Sequence, residues 1–177
     1  MSSNILYIFV EGVDDERFVE KIIKKKLVSR YQSIIIKQYS QENKPYIRKL
    51  LDSIKSKGAD YLFLADLDHE PCISNRKDKI MREKNYLTLD RIFVVCKEIE
   101  SWYLAGINQA DSKRQKIKYF DNTDNIFKEE FERMIPQKDS KLNVKLELLK
   151  CFKDDIATSK NQSYKYFYSK IIQSKTN

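Results

Sequence analysis

The sequence is poor in the residues that punctuate or crosslink a chain. Its 177 residues include only three glycines, three prolines and three cysteines. So few turn-forming residues argue against long linkers, and three widely spaced cysteines suit neither a disulfide framework nor a cysteine zinc site. No apolar run approaches the roughly 20 residues that span a bilayer, and no signal peptide precedes the first strand pattern. A cytoplasmic protein without a membrane partner is therefore expected.

Charge is abundant and unevenly distributed. The formal net charge is +8, from 34 Lys+Arg against 26 Asp+Glu. Residues 1–112 carry 19 basic and 17 acidic side chains, whereas residues 113–177 carry 15 and 9. A basic flank beside acidic clusters is expected where metal ions and a polyanion meet at one surface. Lysines that merely solvate helices give the same balance, so charge alone leaves both interpretations open.

Four apolar runs predict buried strands, and amphipathic segments separate them. The runs cover residues 5–10, 33–39, 60–65 and 91–96. Apolar residues at helical spacing follow the first two runs, with Asp14 or Asp15 as the expected N-cap of one helix and Pro45 at the start of the next. A polar surface helix is predicted over residues 75–84. This alternation predicts an α/β fold with a parallel sheet flanked by helices.

The strand patterns stop beyond residue 107. Apolar residues at helical spacing predict a helix that ends at Pro136, another around residues 142–152 and a last one over residues 164–172. We therefore predict two domains: an α/β domain over residues 1–107, and a C-terminal helical extension over residues 108–177 that packs on it.

Acidic clusters follow three of the four predicted strands. The first runs from Glu11 to Glu16, the second is Asp66-Leu67-Asp68 and the third is Glu98-Ile99-Glu100. Ligands of parallel α/β sheets bind beyond the carboxyl ends of the strands. Carboxylates brought there by three strands would repel one another unless a cation neutralised them. The sequence therefore predicts a divalent-metal site, and its oxygen ligands suit Mg²⁺, with Mn²⁺ as a substitute.

Each cluster also has a purely structural explanation. An Asp-x-Asp taken alone is commonly a solvated turn, and acidic residues after the first strand can simply cap a helix. Two features favour function. Glu11 lies directly at the strand end, before Gly12, whose missing side chain permits a sharp turn and close approach of a substrate. Asp66 and Asp68 lie two apart on a segment expected to be extended, so their carboxylates would face the same side.

The ordered motifs resemble those of a TOPRIM domain, a Rossmannoid metal-binding fold. The elements are Phe9-Val10-Glu11-Gly12 and Ala65-Asp66-Leu67-Asp68, and a third, Glu98-Ile99-Glu100-Ser101-Trp102, looks like the Glu-x-Glu-Ser-Trp element of small standalone TOPRIM-like proteins. The resemblance covers roughly residues 4–106 and is nearest to the nucleases of the overcoming-lysogenization-defect family. The residues after Asp68 lack the glycine typical of primases and topoisomerases.

The resemblance implies a set of site residues. The catalytic residues would be Glu11, Asp66 and Asp68. The metal would be held by Glu11, Asp66 and Asp68, with Asp15 as an additional acid and Glu98 or Glu100 completing the shell. The residues expected to contact nucleic acid are Lys97, Lys113, Arg114 and Lys116.

The implied function is Mg²⁺-dependent hydrolysis of nucleic-acid phosphodiesters by a nuclease of bacterial genome maintenance or phage defence. The alternative is a non-catalytic TOPRIM-like module that binds nucleic acid, or an effector subunit controlled by a separate ATPase. The chain has no glycine-rich phosphate-binding lysine motif, so such an ATPase would be another protein. The sequence does not decide whether the substrate is DNA or RNA, whether cleavage is endonucleolytic or exonucleolytic, or what the oligomeric state is.

Overall fold

The fold is built around one small parallel sheet. A computed structural model describes residues 4–174, in which four strands pair in the order β2-β1-β3-β4. The strands are β1 (Ile5–Val10), β2 (Ser33–Gln38), β3 (Asp60–Asp66) and β4 (Ile92–Val95). The sheet is parallel throughout and flanked by helices, which confirms the predicted α/β class with C-terminal helices.

Strand β1 lies between β2 and β3. Its Leu6 is opposite Ile34 of β2 and Asp60 of β3. The side chains of Leu6, Ile8 and Phe9 are buried, as expected for a strand covered on both faces of a parallel sheet. Because β2 and β3 lie on opposite sides of β1, the strand order reverses there. In open α/β sheets, ligands bind beyond the carboxyl ends of strands at such a reversal.

Helices connect the strands. The first part of the chain forms α1 (Val13–Phe18), which continues through a π-helical turn (Val19–Ile23) into α2 (Lys24–Leu27), followed by α3 (Lys44–Ser56), α4 (Ile73–Glu83) and a 3₁₀ turn (Leu89–Arg91). The helices after β4 are α5 (Glu100–Ala105), α6 (Gln109–Gln115), α7 (Lys128–Met134), α8 (Lys141–Cys151), α9 (Asp154–Lys160) and α10 (Gln162–Phe167), which ends in a π-helical turn (Tyr168–Ile172). Across residues 4–174, no helix is both long and apolar enough to cross a membrane.

Local sequence signals explain most of these boundaries. Helix α3 begins after Asn43, whose side chain accepts a hydrogen bond from the Tyr46 N–H at 2.9 Å, and Pro45 lies in its first turn, as predicted. Helix α7 ends at Met134, before Pro136, as predicted. Helices α6 and α9 were not predicted, because their polar sequences show no helical apolar period.

The described residues pack as two compact units. The first comprises residues up to Ala65 and Glu70–Val94, and the second comprises Asp66–His69 and the residues from Val95 onward. The core of the first unit contains Phe9, Phe18, Leu27, Leu51 and Phe63, and that of the second contains Trp102, Tyr103, Phe131, Tyr164 and Phe167. The predicted domain boundary after residue 107 stays a prediction, because compact packing does not test independent folding.

Candidate metal centre

The first acidic residue, Glu11, is held by residues that follow β2. The hydroxyl of Tyr39 donates a hydrogen bond to Glu11 Oε2 at 3.0 Å. The hydroxyl of Ser40 donates to the Glu11 carbonyl at 2.5 Å, and the Tyr39 N–H donates to the Val10 carbonyl at 2.9 Å. These bonds fix both the backbone and the carboxylate of Glu11 at the carboxyl end of β1.

The acidic residues after Gly12 stabilise the start of α1. Gly12 is the N-cap, so the prediction that Asp14 or Asp15 would occupy that position was wrong. Asp15 lies one turn further on and accepts a hydrogen bond from the Gly12 N–H at 3.2 Å. Asp14 forms an ion pair with Arg17. Carboxylates in the first turn also favour the helix dipole, so this part of the cluster has a structural role, and metal binding by Asp15 stays a prediction.

Gly12 does not turn the backbone sharply, in contrast to the expectation from the sequence. Its φ of −139° and ψ of −171° describe an extended conformation that other residues adopt. A Cβ atom built on Gly12 would lie 3.7 Å from Asp15 Oδ2, which is an ordinary contact. Any need for glycine at this position would therefore come from a bound group and not from the backbone.

The second pair closes strand β3. Asp66 is the buried last residue of the strand, and Asp68 lies two residues beyond it. The Leu67 N–H donates to the Val95 carbonyl at 2.9 Å, and the Asp68 N–H donates to the Lys97 carbonyl at 3.3 Å. The backbone that carries the two aspartates is thus tied to the end of strand β4.

Asp68 does not continue the extended strand. Its φ is 53°, in the left-handed region, so the prediction that the segment stays extended through Asp68 was wrong. That the two carboxylates face the same side stays a prediction. Lys97, whose carbonyl accepts the Asp68 N–H, also has a positive φ of 59°. Aspartate adopts the left-handed region more readily than lysine does, so the strain is larger at Lys97, and such strain clusters at functional sites.

An aromatic ring lies beside these residues in the second unit. The ring of Phe127 stacks with the imidazole of His69, with a centroid separation of 6.5 Å. The ammonium of Lys97 lies 4.9 Å from the centre of the same ring. Lys97, which the sequence predicts to contact nucleic acid, therefore has an intramolecular cation–π contact that positions its charge.

Glu98 accepts a hydrogen bond at the start of a helix. The backbone N–H of Lys128, the first residue of α7, donates to Glu98 Oε2 at 2.6 Å. Burial raises the pKa of the Glu98 carboxyl, and this hydrogen bond partly opposes the rise. The carboxylate therefore accepts a hydrogen bond from one of the backbone N–H groups that have no partner within the helix at its N-terminus.

Glu100 is buried with a lysine. Only 2% of the residue is exposed, and its carboxylate accepts a hydrogen bond from the Lys145 ammonium at 2.7 Å. The same ammonium lies 5.7 Å from the centre of the Tyr103 ring and 5.3 Å from that of Phe131. The charge of Glu100 is thus neutralised by the protein's own cation, and metal binding by Glu100 would compete with that ion pair.

The Ser-Trp part of the third motif belongs to a buried hydrogen-bond network. Ser101 Oγ donates to the Cys96 carbonyl at 2.9 Å, and Trp102 Nε1 donates to Ser163 Oγ at 2.8 Å. Ser163 Oγ also accepts from the Cys96 N–H at 3.0 Å and donates to Asn161 Oδ1 at 2.7 Å. These contacts join the end of β4 and the start of α5 to α10, so Ser101 and Trp102 hold the second unit together.

The remaining predicted nucleic-acid contacts lie on one short segment. Lys113, Arg114 and Lys116 are exposed in α6 and at its end. Arg114 forms an ion pair with Asp111 at 2.8 Å. The three cations thus give a basic surface of the kind that contacts phosphates without reading sequence.

Asp66 and Asp68 are the residues whose chemistry best suits a metal. Among residues 4–174, no three or more His, Cys, Asp or Glu side chains are grouped closely enough to hold a metal by themselves. Mg²⁺ does not require such a cage, because it commonly binds through one or two carboxylates and fills its shell with water and substrate phosphates. Asp66 and Asp68 supply carboxylate oxygens of the type that such a shell uses, and metal binding by them stays a prediction.

Comparison with known proteins adds no family. No family model matches the sequence, and no curated protein and no solved structure matches it significantly.

Proposed function

We propose that the protein is a Mg²⁺-dependent phosphodiester hydrolase of the TOPRIM type that acts on nucleic acid. The observation that supports this most directly is the pair Asp66 and Asp68 at the end of strand β3, in a backbone tied to the end of β4. Hard carboxylate oxygens at the carboxyl end of a parallel strand suit a Mg²⁺–phosphate ligand. The left-handed conformation of Lys97, whose carbonyl accepts the Asp68 N–H, supports the same assignment, since lysine rarely adopts it and backbone strain is stored at functional sites.

In this proposal each residue has a defined task. Asp66 and Asp68 hold Mg²⁺, which when bound would neutralise the phosphate and activate water. Glu11 acts as the acid/base or metal-linked glutamate, with its carboxylate oriented by the Tyr39 hydroxyl. The exposed cations Lys113, Arg114 and Lys116 contact backbone phosphates, and this part of the affinity falls as salt rises.

The substitution Asp68→Asn tests the proposal. Asn is among the few residues that adopt a positive φ readily, so the fold should persist while a negative ligand is lost. We expect Mg²⁺-dependent cleavage to fall by more than about 100-fold, because even residues that only support a metal ligand contribute about 10–100-fold. Plasmid, single-stranded DNA, tRNA and rRNA, each with Mg²⁺, Mn²⁺ or EDTA, serve as substrates.

The matched control is Asp78→Asn, the same change at an exposed position on α4. It should leave both stability and cleavage unchanged. Cleavage that survives in the double variant Asp66→Asn and Asp68→Asn, or that persists in EDTA, would contradict the mechanism.

The alternative is a nucleic-acid-binding module without catalysis. It is favoured by one observation: Glu100 is engaged by Lys145, which leaves fewer carboxylates for a metal. Salt-sensitive retention of nucleic acid without any cleavage by the wild-type protein would support this alternative.

A further inference from the structure

A cavity lies beside Glu11 within the first unit. Its volume is about 320 Å³, which is within the range of small-molecule sites. The residues that matter most for its chemistry are Glu11, Tyr39, Lys44, Arg76, Lys84 and Tyr86. They come from the ends of β1 and β2, from the first turn of α3, and from α4 and the segment after it.

Three cations converge on this cavity. Lys44, Arg76 and Lys84 all line it, together with the carboxylates of Glu11, Glu42 and Glu83. Burial lowers the pKa of the Lys84 amine; the neighbouring Glu83 opposes this, and the positive charges of Lys44 and Arg76 lower the pKa further. Lys44 and Arg76 therefore lie close enough to Lys84 to affect its charge, as do the carboxylates of Glu83 and Glu11. A bound anion would relieve the repulsion that Lys44 and Arg76 exert on Lys84.

The cavity also has an aromatic side. The rings of Tyr39 and Phe63 stack with centroids 4.4 Å apart. The Lys84 ammonium lies 5.8 Å from the centre of the Tyr39 ring and 5.9 Å from that of Phe63. These contacts hold the lysine charge against an apolar wall, where water competes less for an anion than at an open surface.

The hydroxyl of Tyr86 is the third feature. It is buried and has no hydrogen-bond partner among the residues that the structure describes. Buried polar groups are nearly always hydrogen-bonded in proteins, so each exception calls for an explanation. A polar ligand seated in the cavity would supply that partner.

We infer that this cavity binds the terminal 5′ phosphate of a nucleotide or oligonucleotide, with Arg76, Lys44 and Lys84 as its cationic contacts and the aromatic wall beside the sugar or base. Cations matched to phosphate, an aromatic surface and a hydroxyl suit a nucleotide better than a purely apolar or purely acidic ligand. The choice of a nucleotide rests on the proposed function, since Glu11 belongs to both. Binding here needs no metal.

The experiment measures binding in EDTA, which prevents the proposed metal-dependent cleavage. The probe is a thymidine hexanucleotide with a 5′ phosphate and a 3′ fluorophore, and fluorescence anisotropy gives Kd for the wild-type protein. We expect the 5′-hydroxyl form of the same oligonucleotide to bind about tenfold more weakly or worse, because a hydrogen bond to a charged group is worth about that factor. Thymidine 5′-phosphate should displace the probe at lower concentration than inorganic phosphate.

Arg76→Gln is the test variant, and Arg82→Gln is its matched control on the exposed side of α4. Arg76→Gln should weaken binding of the phosphorylated probe about tenfold and remove the preference for the 5′ phosphate. Arg82→Gln should change neither. Equal binding of the two probes, or equal effects of the two variants, would overturn the inference. Equal potency of inorganic phosphate as competitor would overturn the assignment to a nucleotide.

Failure of this inference and failure of the proposed function give different results. The Asp68→Asn variant should lose cleavage in Mg²⁺ and keep the phosphate preference in EDTA. A wild-type protein that never cleaves but prefers the 5′ phosphate would contradict the nuclease proposal and support the cavity. Cleavage that depends on Asp68, without any phosphate preference, would support the nuclease and contradict the cavity.

Discussion

Two acidic pairs with the same spacing follow neighbouring strands, and the second unit uses them differently. Asp66 ends strand β3 and Asp68 lies on the turn that follows, and the backbone of this segment is tied to the end of β4. Of the other pair, Glu100 is buried against Lys145 and Glu98 accepts an N–H at a helix start. Equal spacing thus does not distinguish a candidate ligand pair from a structural one. What distinguishes them is the element that follows each strand.

The elements after the two strands explain the difference. The chain after β3 enters a turn, on which Asp68 is partly exposed, whereas Asp66 is buried at the strand end. The chain after β4 enters α5, in which every residue from Glu100 to Ala105 is buried. A carboxylate at the start of such a helix must be neutralised by a cation of the protein, because a buried charge without a partner is strongly unfavourable. Lys145 supplies that cation.

Removal of Lys145 should have the largest effect on stability, and it tests whether Glu100 has the structural role described above. We expect Lys145→Met to lower the free energy of unfolding by about 3–5 kcal/mol, since it leaves Glu100 buried without its counter-charge. Urea denaturation at pH 7 measures the change. The double variant Glu100→Gln and Lys145→Met should recover much of the loss, because no buried charge remains. A loss below about 1 kcal/mol, typical of exposed ion pairs, would show that Glu100 is available for a metal.

A second substitution tests the packing of the helix that carries Glu100. Gly106 follows α5, and a Cβ atom there would lie only 2.2–2.5 Å from atoms of the Phe152 ring. We expect Gly106→Ala to cost about 1–3 kcal/mol by overpacking. Gly12→Ala is the matched control, since its Cβ would meet nothing closer than 3.7 Å. Both are measured by urea denaturation.

The Gly12→Ala control also carries information about function. Because Gly12 is the N-cap of α1, where alanine is less favourable than glycine, the stability of this variant should fall by no more than about 1 kcal/mol. If cleavage falls while stability holds, the missing side chain serves the approach of a bound group. Equal destabilisation by both alanines would contradict the packing described for Gly106.

The smallest expected effect is the pH dependence of the stability that Glu98 contributes. Burial raises the pKa of its carboxyl above the ordinary value, so the unfolded chain loses this proton at lower pH than the folded protein does. The stability that Glu98 contributes is therefore fully present below its ordinary pKa and is lost as pH rises through the folded pKa. Relative to Glu98→Gln, the wild type should be more stable at about pH 4 than at pH 7, by less than about 1 kcal/mol.

Denaturation of the two proteins at both pH values checks the sign. A relative stability that rises with pH would mean that the hydrogen bond from the Lys128 N–H outweighs burial, and that Glu98 prefers to be ionised in the folded protein.

The sequence was sufficient for the sheet because its strands are local features. Each strand is a continuous apolar run, and the predicted bounds of β1 agree with the structure at both ends. The N-cap of α1 was misassigned for a physical reason. Acidic residues are favoured both at the N-cap and in the first turn of a helix. The sequence pattern therefore did not reveal that Gly12 is the N-cap and that Asp14 and Asp15 lie in the first turn.

The structural role of the third motif was not predictable from local sequence. Glu100 and its partner Lys145 are 45 positions apart, and Trp102 donates to a serine 61 positions away. No spacing rule connects residues at such distances. The cavity beside Glu11 was missed likewise, because Arg76 and Lys84 belong to a segment whose polar composition predicted only a solvated helix.

The left-handed backbone at Asp68 affects how the protein tolerates change. In a library that randomises residue 68, variants would have to fold and then to replace the function of the carboxylate. Folding favours glycine, asparagine and aspartate at a positive φ, so variants with branched residues such as valine would be lost because they fold poorly. Glycine and asparagine are therefore the informative replacements for the function of the carboxylate, whereas alanine would change both folding and function.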